Sequence, residues 1–359
     1  MDIKSKVNEG LSKLLFLQLK KNNYLGEYYI KEDIYAPIKA TTIIEKINKG
    51  EKVDNIPVSA FIEGMCYVLG ADEEFRFKNE YIEILNTLNG SVDFIKNRIF
   101  MEVKDKKYEE AYIFIKGLLK IENSEEVYNK AFLLLQELIS LDEDYREEEF
   151  YIIDSAKNIP NYSLPYFYEA MAYRDVKEFE KALVSIHTYL EKGGKETEEV
   201  IELKENLISI NQFNKGKKLS TENPEEALKY LIPLIDYYGE TANIYYYIAV
   251  SYRNLGNFEK AIYYLNEAAT IDDALIEVLN EYGINYASLG EFNRAVDYFE
   301  KAFEACKNIE ICTNIVMCYI NLKNIEKAKE YMEKAIKLDE QDEIVKELIT
   351  YFNNIDIQI

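Results

Sequence analysis

NIYYYIAVSYRNLGNFEKAIYYLNEAATID, residues 243–272, and EVLNEYGINYASLGEFNRAVDYFEKAFEAC, residues 277–306, are two copies of one pattern. Tyr252 aligns with Tyr286, Leu255 with Leu289, Gly256 with Gly290, Phe258 with Phe292, Ala261 with Ala295 and Ala268 with Ala302, each at an offset of 34 residues. A third copy, ICTNIVMCYINLKNIEKAKEYMEKAIKLDE, starts at Ile311 and places Tyr319, Leu322, Ala328 and Ala335 at an offset of 33, with Lys323 where the others have glycine. The spacing predicts two helices per copy. Ala261, Ala295 and Ala328 fall where the second helix crosses the first. Ala249 and Gly283 give the matching small surface, which Val316 fills in the third copy. Tyr252, Tyr286 and Tyr319 fill the space between crossing helices, and Gly256 and Gly290 allow the turn its positive φ.

These residues resemble the tetratricopeptide repeat family, a helix-turn-helix unit of about 34 residues. The resemblance implies an all-α fold, an α-solenoid in which helix pairs form a right-handed superhelix. Further copies lie upstream. PYFYEAMAYRDVKEFEKALVSIHTYL carries Ala170, Tyr173, Phe179 and Ala182, and FNKGKKLSTENPEEALKYLIPLI carries Gly216, Leu219 and Ala227. Asn223 and Pro224 read as a helix start, and Pro233 falls inside the helix that follows. KKYEEAYIFIKGLL, around Ala111, reads as the second helix of a degenerate unit. Residues 92–342 are therefore assigned to repeats, clearest at 163–196, 208–241, 242–275, 276–308 and 309–342, with 343–359 as a capping helix.

Residues 1–91 lack the repeat and read as a mostly helical segment. An amphipathic helix is expected with Ile3, Val7, Leu11, Leu14 and Leu15 on one face. A tyrosine-rich stretch, YLGEYYIKEDIYAPI, follows as one strand or an ordered loop, then short helices near Thr41–Asn48 and Val58–Leu69. That last helix has no Lys or Arg with which to reach DNA.

The chain has 359 residues, with 43 Lys and Arg against 65 Asp and Glu. Such a surface repels polyanions, which argues against nucleic acid as a partner. Residues 1–91 hold 12 basic and 14 acidic side chains, so the acidity belongs to the repeats. No apolar run approaches the roughly 20 residues that cross a bilayer, and no cleavage site follows Leu14–Leu19, so a cytoplasmic protein without a membrane span is expected.

Chemistry is sparse. His187 is the single histidine, and no phosphate loop, dinucleotide loop or nucleophile elbow occurs. Cys66, Cys306, Cys312 and Cys318 lack the spacing of a zinc site and read as inert thiols. No catalytic, metal or cofactor-binding residue is expected.

The repeat resemblance places the first helix of each pair on a concave groove. The positions left free by packing are Phe167, Met171 and Arg174, then Asn243, Tyr246, Val250, Arg253 and Asn254, then Asn280, Ile284 and Ser288, then Thr313, Asn314, Met317 and Asn321. A side-chain amide both donates and accepts, so spaced asparagines can pair with the backbone of an extended peptide. Chaperone-tail clamps of this family use groove cations, whereas Tyr246, Asn280 and Thr313 stand at comparable places here. The expected function is a non-catalytic scaffold that binds a basic or neutral protein or peptide, with self-association through one end left open. The alternatives are an intracellular regulatory peptide receptor with an N-terminal effector domain and, third, an enzyme in the N-terminal segment.

Overall fold

The computed structural model describes residues 3–48, 56–238, 241–272 and 275–354. Packing divides the chain into two units, residues 1–204 and 205–359.

Unit 1 opens with α1 (Ile3–Ser12), four strands, β1 (Leu14–Leu19), β2 (Tyr24–Leu25), β3 (Tyr28–Tyr29) and β4 (Ile34–Lys39), and α2 (Ala40–Asn48). The amphipathic helix therefore ends before Leu14, contrary to the periodicity. Leu14 and Leu15 belong instead to β1, which pairs antiparallel with β4 from Leu14↔Lys39 to Leu19↔Ile34. Pairing satisfies the backbone of both strands and puts Ile34, Ala36 and Ile38 into the core. The tyrosine-rich stretch forms a hairpin, β2 against β3, as well as β4.

Next come α3 (Val58–Ala71), α4 (Lys78–Thr87), α5 (Ser91–Lys104) and α6 (Tyr108–Leu119), so the expected boundary at residue 91 falls at the start of α5, inside unit 1. Almost every side chain of α3 from Ala60 to Leu69 is buried. The helix is central because it meets α6 backbone to backbone: a Cβ on Gly70 would lie 1.8 Å from the Ile113 carbonyl oxygen, and one on Gly117 would lie 2.0 Å from that of Cys66. The pairs α7 (Glu125–Leu141) with α8 (Arg146–Ala156), and α9 (Leu164–Asp175) with α10 (Phe179–Glu191), follow.

A 25-residue helix, α11 (Glu198–Glu222), leads into unit 2, where α12 (Pro224–Tyr238) continues through Pro233. The clear repeats are α13 (Ala242–Asn254) with α14 (Phe258–Ile271), α15 (Ile276–Ser288) with α16 (Phe292–Cys306), and α17 (Ile309–Asn321) with α18 (Ile325–Leu338). The last described helix is α19 (Glu343–Asn354), which seats Val345, Leu348 and Phe352 in the core. Residues 355–359 of the expected cap lie outside the described residues.

Among the described residues, five helix pairs turn in the same way. Lys106, Lys177, Gly256, Gly290 and Lys323 stand at φ of 59°, 63°, 75°, 80° and 59°. In each turn the next N–H returns to a carbonyl five residues earlier: Lys107 to Glu102 at 2.8 Å, and Glu178 to Tyr173, Asn257 to Tyr252, Glu291 to Tyr286 and Asn324 to Tyr319 at 2.9 Å. This hydrogen bond closes the open carbonyls of the first helix. Asn257 and Asn324 then accept from the N–H of Lys260 and Lys327 to start the second helix.

The crossing alanines Ala261, Ala295 and Ala328 are fully buried, as are Ala268, Ala302 and Ala335. Around them the three repeats share a stack. Tyr252 lies on Tyr264, Tyr286 on Tyr298 and Tyr319 on Tyr331, with ring centroids 5.5, 5.5 and 5.9 Å apart. Lys260, Arg294 and Lys327 cover the outer faces of Tyr252, Tyr286 and Tyr319 at 5.0, 4.0 and 5.7 Å. Cation and ring attract through the ring quadrupole, so each layer protects the next from water.

Candidate protein-interaction face

The first helices of the unit 2 repeats, α13, α15 and α17, bring the expected binding residues onto neighbouring turns. At the centre is an ion pair. The Arg253 guanidinium on α13 donates to the Glu281 carboxylate on α15, which is 4% exposed. Burial pushes the Glu281 carboxyl up from its ordinary value, and Arg253 opposes that rise. Tyr246 is half-buried, packs edge-on against Tyr247 at 4.9 Å, and has its hydroxyl pushed up to about 12 by burial and then by Glu281.

The amides beside this pair are unevenly satisfied. The Asn285 side chain donates 2.8 Å to the Glu281 backbone carbonyl, but among the described residues its Oδ1 has no partner, and neither has Oδ1 of Asn280. An acceptor shielded from water without a donor costs about 1–3 kcal/mol. Glu281 and Asn285 were not among the residues singled out by sequence. The repeat register gave a signal for one of them alone: 34 residues earlier stand Tyr247, which is half-buried, and Ser251, which is buried.

The other expected residues take several places. Ile284 and Asn314 are half-buried, whereas Asn243, Ser288, Met317 and Asn321 are exposed. Val250 and Thr313 are buried in the unit 2 packing, with the Thr313 hydroxyl donating to the Glu310 carbonyl at 2.9 Å. Asn254 donates 2.8 Å to the Ser220 carbonyl, bracing α13 against α11. Asn321 donates back to the Met317 carbonyl at 2.8 Å. Phe167, Met171 and Arg174 stand on α9 in unit 1. Phe167 is buried against Tyr168 and Tyr189, Met171 is half-buried, and Arg174 pairs with Asp175 at 2.8 Å.

A family model described as tetratricopeptide repeat matches residues 240–308, and a second with the same description matches residues 309–342. The chain carries tetratricopeptide repeats. In solved structures it is similar to the MamA protein, at 19% identity over 50% of this chain and 92% of that one, with a TM-score of 0.37. It is also similar to YrrB, described as a TPR protein with an unusual peptide-binding site, at 19% identity over 55% and 96% of the two chains, TM-score 0.38. A third is PilW, described as a widely conserved type IV pilus biogenesis factor, at 20% identity over 63% and 100%, TM-score 0.38. No curated protein matches the chain.

The tetratricopeptide repeats of residues 240–342 belong to the all-α solenoid class and support a general protein-interaction role. Among the described residues, no helix is long and apolar enough to cross a membrane. His187 is an exposed residue on α10.

Proposed function

We propose that unit 2 binds an extended segment of a partner protein or peptide on the α13, α15 and α17 face, without catalysis. The observation that carries this reading is the unpartnered Oδ1 of Asn280 beside the buried Arg253–Glu281 pair. A peptide N–H that approached α15 would satisfy the amide after a small side-chain rotation, and the amide nitrogen would then be free to donate to the peptide carbonyl. Tyr246, Ile284 and Met317 offer apolar surface to alternate side chains of an extended strand.

The charge of the chain favours a basic or neutral segment, since Glu277 and Glu310 are exposed on the same helices. The free thiols Cys66, Cys306, Cys312 and Cys318 fit a reducing, cytoplasmic setting. The test is a peptide-array screen followed by titration of the best binders against the full chain and Asn280→Ala. The reading requires at least a fivefold loss of affinity in the variant, an effect of roughly 1 kcal/mol, and weaker binding of basic peptides as salt rises. Unchanged affinity in Asn280→Ala would sink it.

A further inference from the structure

Unit 1 contains a cleft of about 410 Å³ between the end of α1, the end of α3, the start of α6 and the start of α8. That is within the size range of small-molecule sites, roughly 300–1,000 Å³. Its walls are tyrosines and carboxylates: Tyr67, Tyr112 and Tyr145 with Glu109, Glu110 and Glu148. Glu9 and Lys13 stand at the α1 side and pair with each other at 2.8 Å.

One ammonium is already held in this way. Lys116 lies 3.1 Å from the Glu148 carboxylate, which also accepts from the Tyr112 hydroxyl at 2.9 Å, and the ammonium stands 5.8 Å from the Tyr112 ring centroid. The lining thus sets four carboxylates against two lysines. Glu9 and Glu148 are matched by Lys13 and Lys116. Glu109 has a partner of its own. Among the described residues, Glu110 forms no hydrogen bond or salt bridge.

A second observation is independent of charge. Tyr67 is 5% exposed, yet its hydroxyl makes no hydrogen bond with any described residue. It is one of the groups lining the cleft. The approach of α1 to it depends on Gly10, where a Cβ would fall 1.8 Å from the hydroxyl oxygen. Gly10 thus keeps room for a hydroxyl that no described residue bonds, on a side chain that lines the cleft, where a ligand could bond it.

We propose that this cleft binds an organic ammonium or guanidinium group, seated between the Glu110 carboxylate and the Tyr67 hydroxyl with tyrosine faces around it. An organic cation matches each part of the lining: carboxylates for charge, a hydroxyl oxygen to accept one N–H, and ring faces for the alkyl stem. An anion would meet the excess carboxylates, and a neutral apolar molecule would leave Glu110 and Tyr67 unsatisfied. The same head group could arrive on a free amine or on a Lys or Arg side chain of another protein.

Titration calorimetry on the full chain separates these sources. Putrescine and agmatine probe the free amine, Nα-acetyl-lysine methylamide and its arginine counterpart probe the side chain, and 1,4-butanediol is the neutral control. Saturable binding of either cation set in the millimolar range or below, without binding of the diol, supports the proposal, and the set that binds more tightly names the source. Glu110→Gln is expected to weaken binding about tenfold and Tyr67→Phe about threefold. Tyr67→Phe removes only a hydroxyl that no described residue bonds, so it remains informative if Glu110→Gln folds poorly. Absence of binding by every cation, equal binding of the diol, or unchanged affinity in folded variants would overturn it.

Discussion

Arg253 on α13 holds the only carboxylate that α15 buries, that of Glu281, and so fastens two neighbouring repeats by their first helices. Removing one partner of a buried pair leaves the other charge unmatched. Arg253→Met is expected to lower unfolding free energy by about 3 kcal/mol at neutral pH, measured by chemical denaturation. The loss should shrink in acid, where Glu281 can take a proton.

The sign for the intact pair follows from burial. The folded Glu281 carboxyl titrates above its ordinary value of 4.5. Between that value and the raised one, the native state binds more protons than the unfolded chain, so this group's contribution to stability falls as pH rises. Glu149, raised by burial against Arg146 and Gln136, acts in the same direction in unit 1. The stability difference between Glu281→Gln and the unmodified protein should therefore move in favour of the variant as pH climbs through that window. A pH-independent difference would contradict this account.

Lys323 occupies the turn position that Gly256 and Gly290 fill in the two preceding repeats, at φ 59°. A side chain there crowds the neighbouring carbonyl, which costs about 1–2 kcal/mol, partly offset by the greater freedom of glycine in the unfolded chain. Lys323→Gly should stabilise by about 0.5–1 kcal/mol, and Gly290→Ala should destabilise by a similar amount. Thermal unfolding of the pair of variants tests both signs.

At the α3–α6 crossing the limit is space. Gly117→Ala brings a methyl to 2.0 Å from the Cys66 carbonyl oxygen, and the backbone there cannot give way as a flexible side chain would. A loss of about 3 kcal/mol is expected. Gly193→Ala, where nothing lies within 4 Å of the new Cβ, pays only for its positive φ and serves as the comparison.

Thiol labelling reads the packing directly. Burial pushes Cys312 and Cys318 up to about 11 and Cys66 higher still, whereas Cys306 is exposed. Only the thiolate reacts, so maleimide at neutral pH should modify one site quickly and the other three only on unfolding. Mass spectrometry of the labelled peptides would assign the fast site to Cys306. Rapid labelling of Cys312 would show that α17 and α18 are less closely packed than described.

The sequence by itself determined the repeats of unit 2. A 34-residue spacing of alanines and tyrosines leaves one way to pack a helix pair, because the alanines mark where no larger side chain fits. Lysine at three of the five turn positions hid the common turn at Lys106 and Lys177, because a glycine search cannot see a left-handed residue held by its neighbours' hydrogen bonds. The strand at residues 14–19 was out of reach for a related reason: β1 has its partner 15–25 residues away, and helical periodicity contains no term for that pairing. For the face on α13 and α15 the sequence named Arg253 and Asn280. Only the tertiary structure decided that Glu281, one acid among 65 Asp and Glu, lies buried against that arginine. Burial turns an ordinary surface charge into a fixed partner, and burial is a property of the assembled fold.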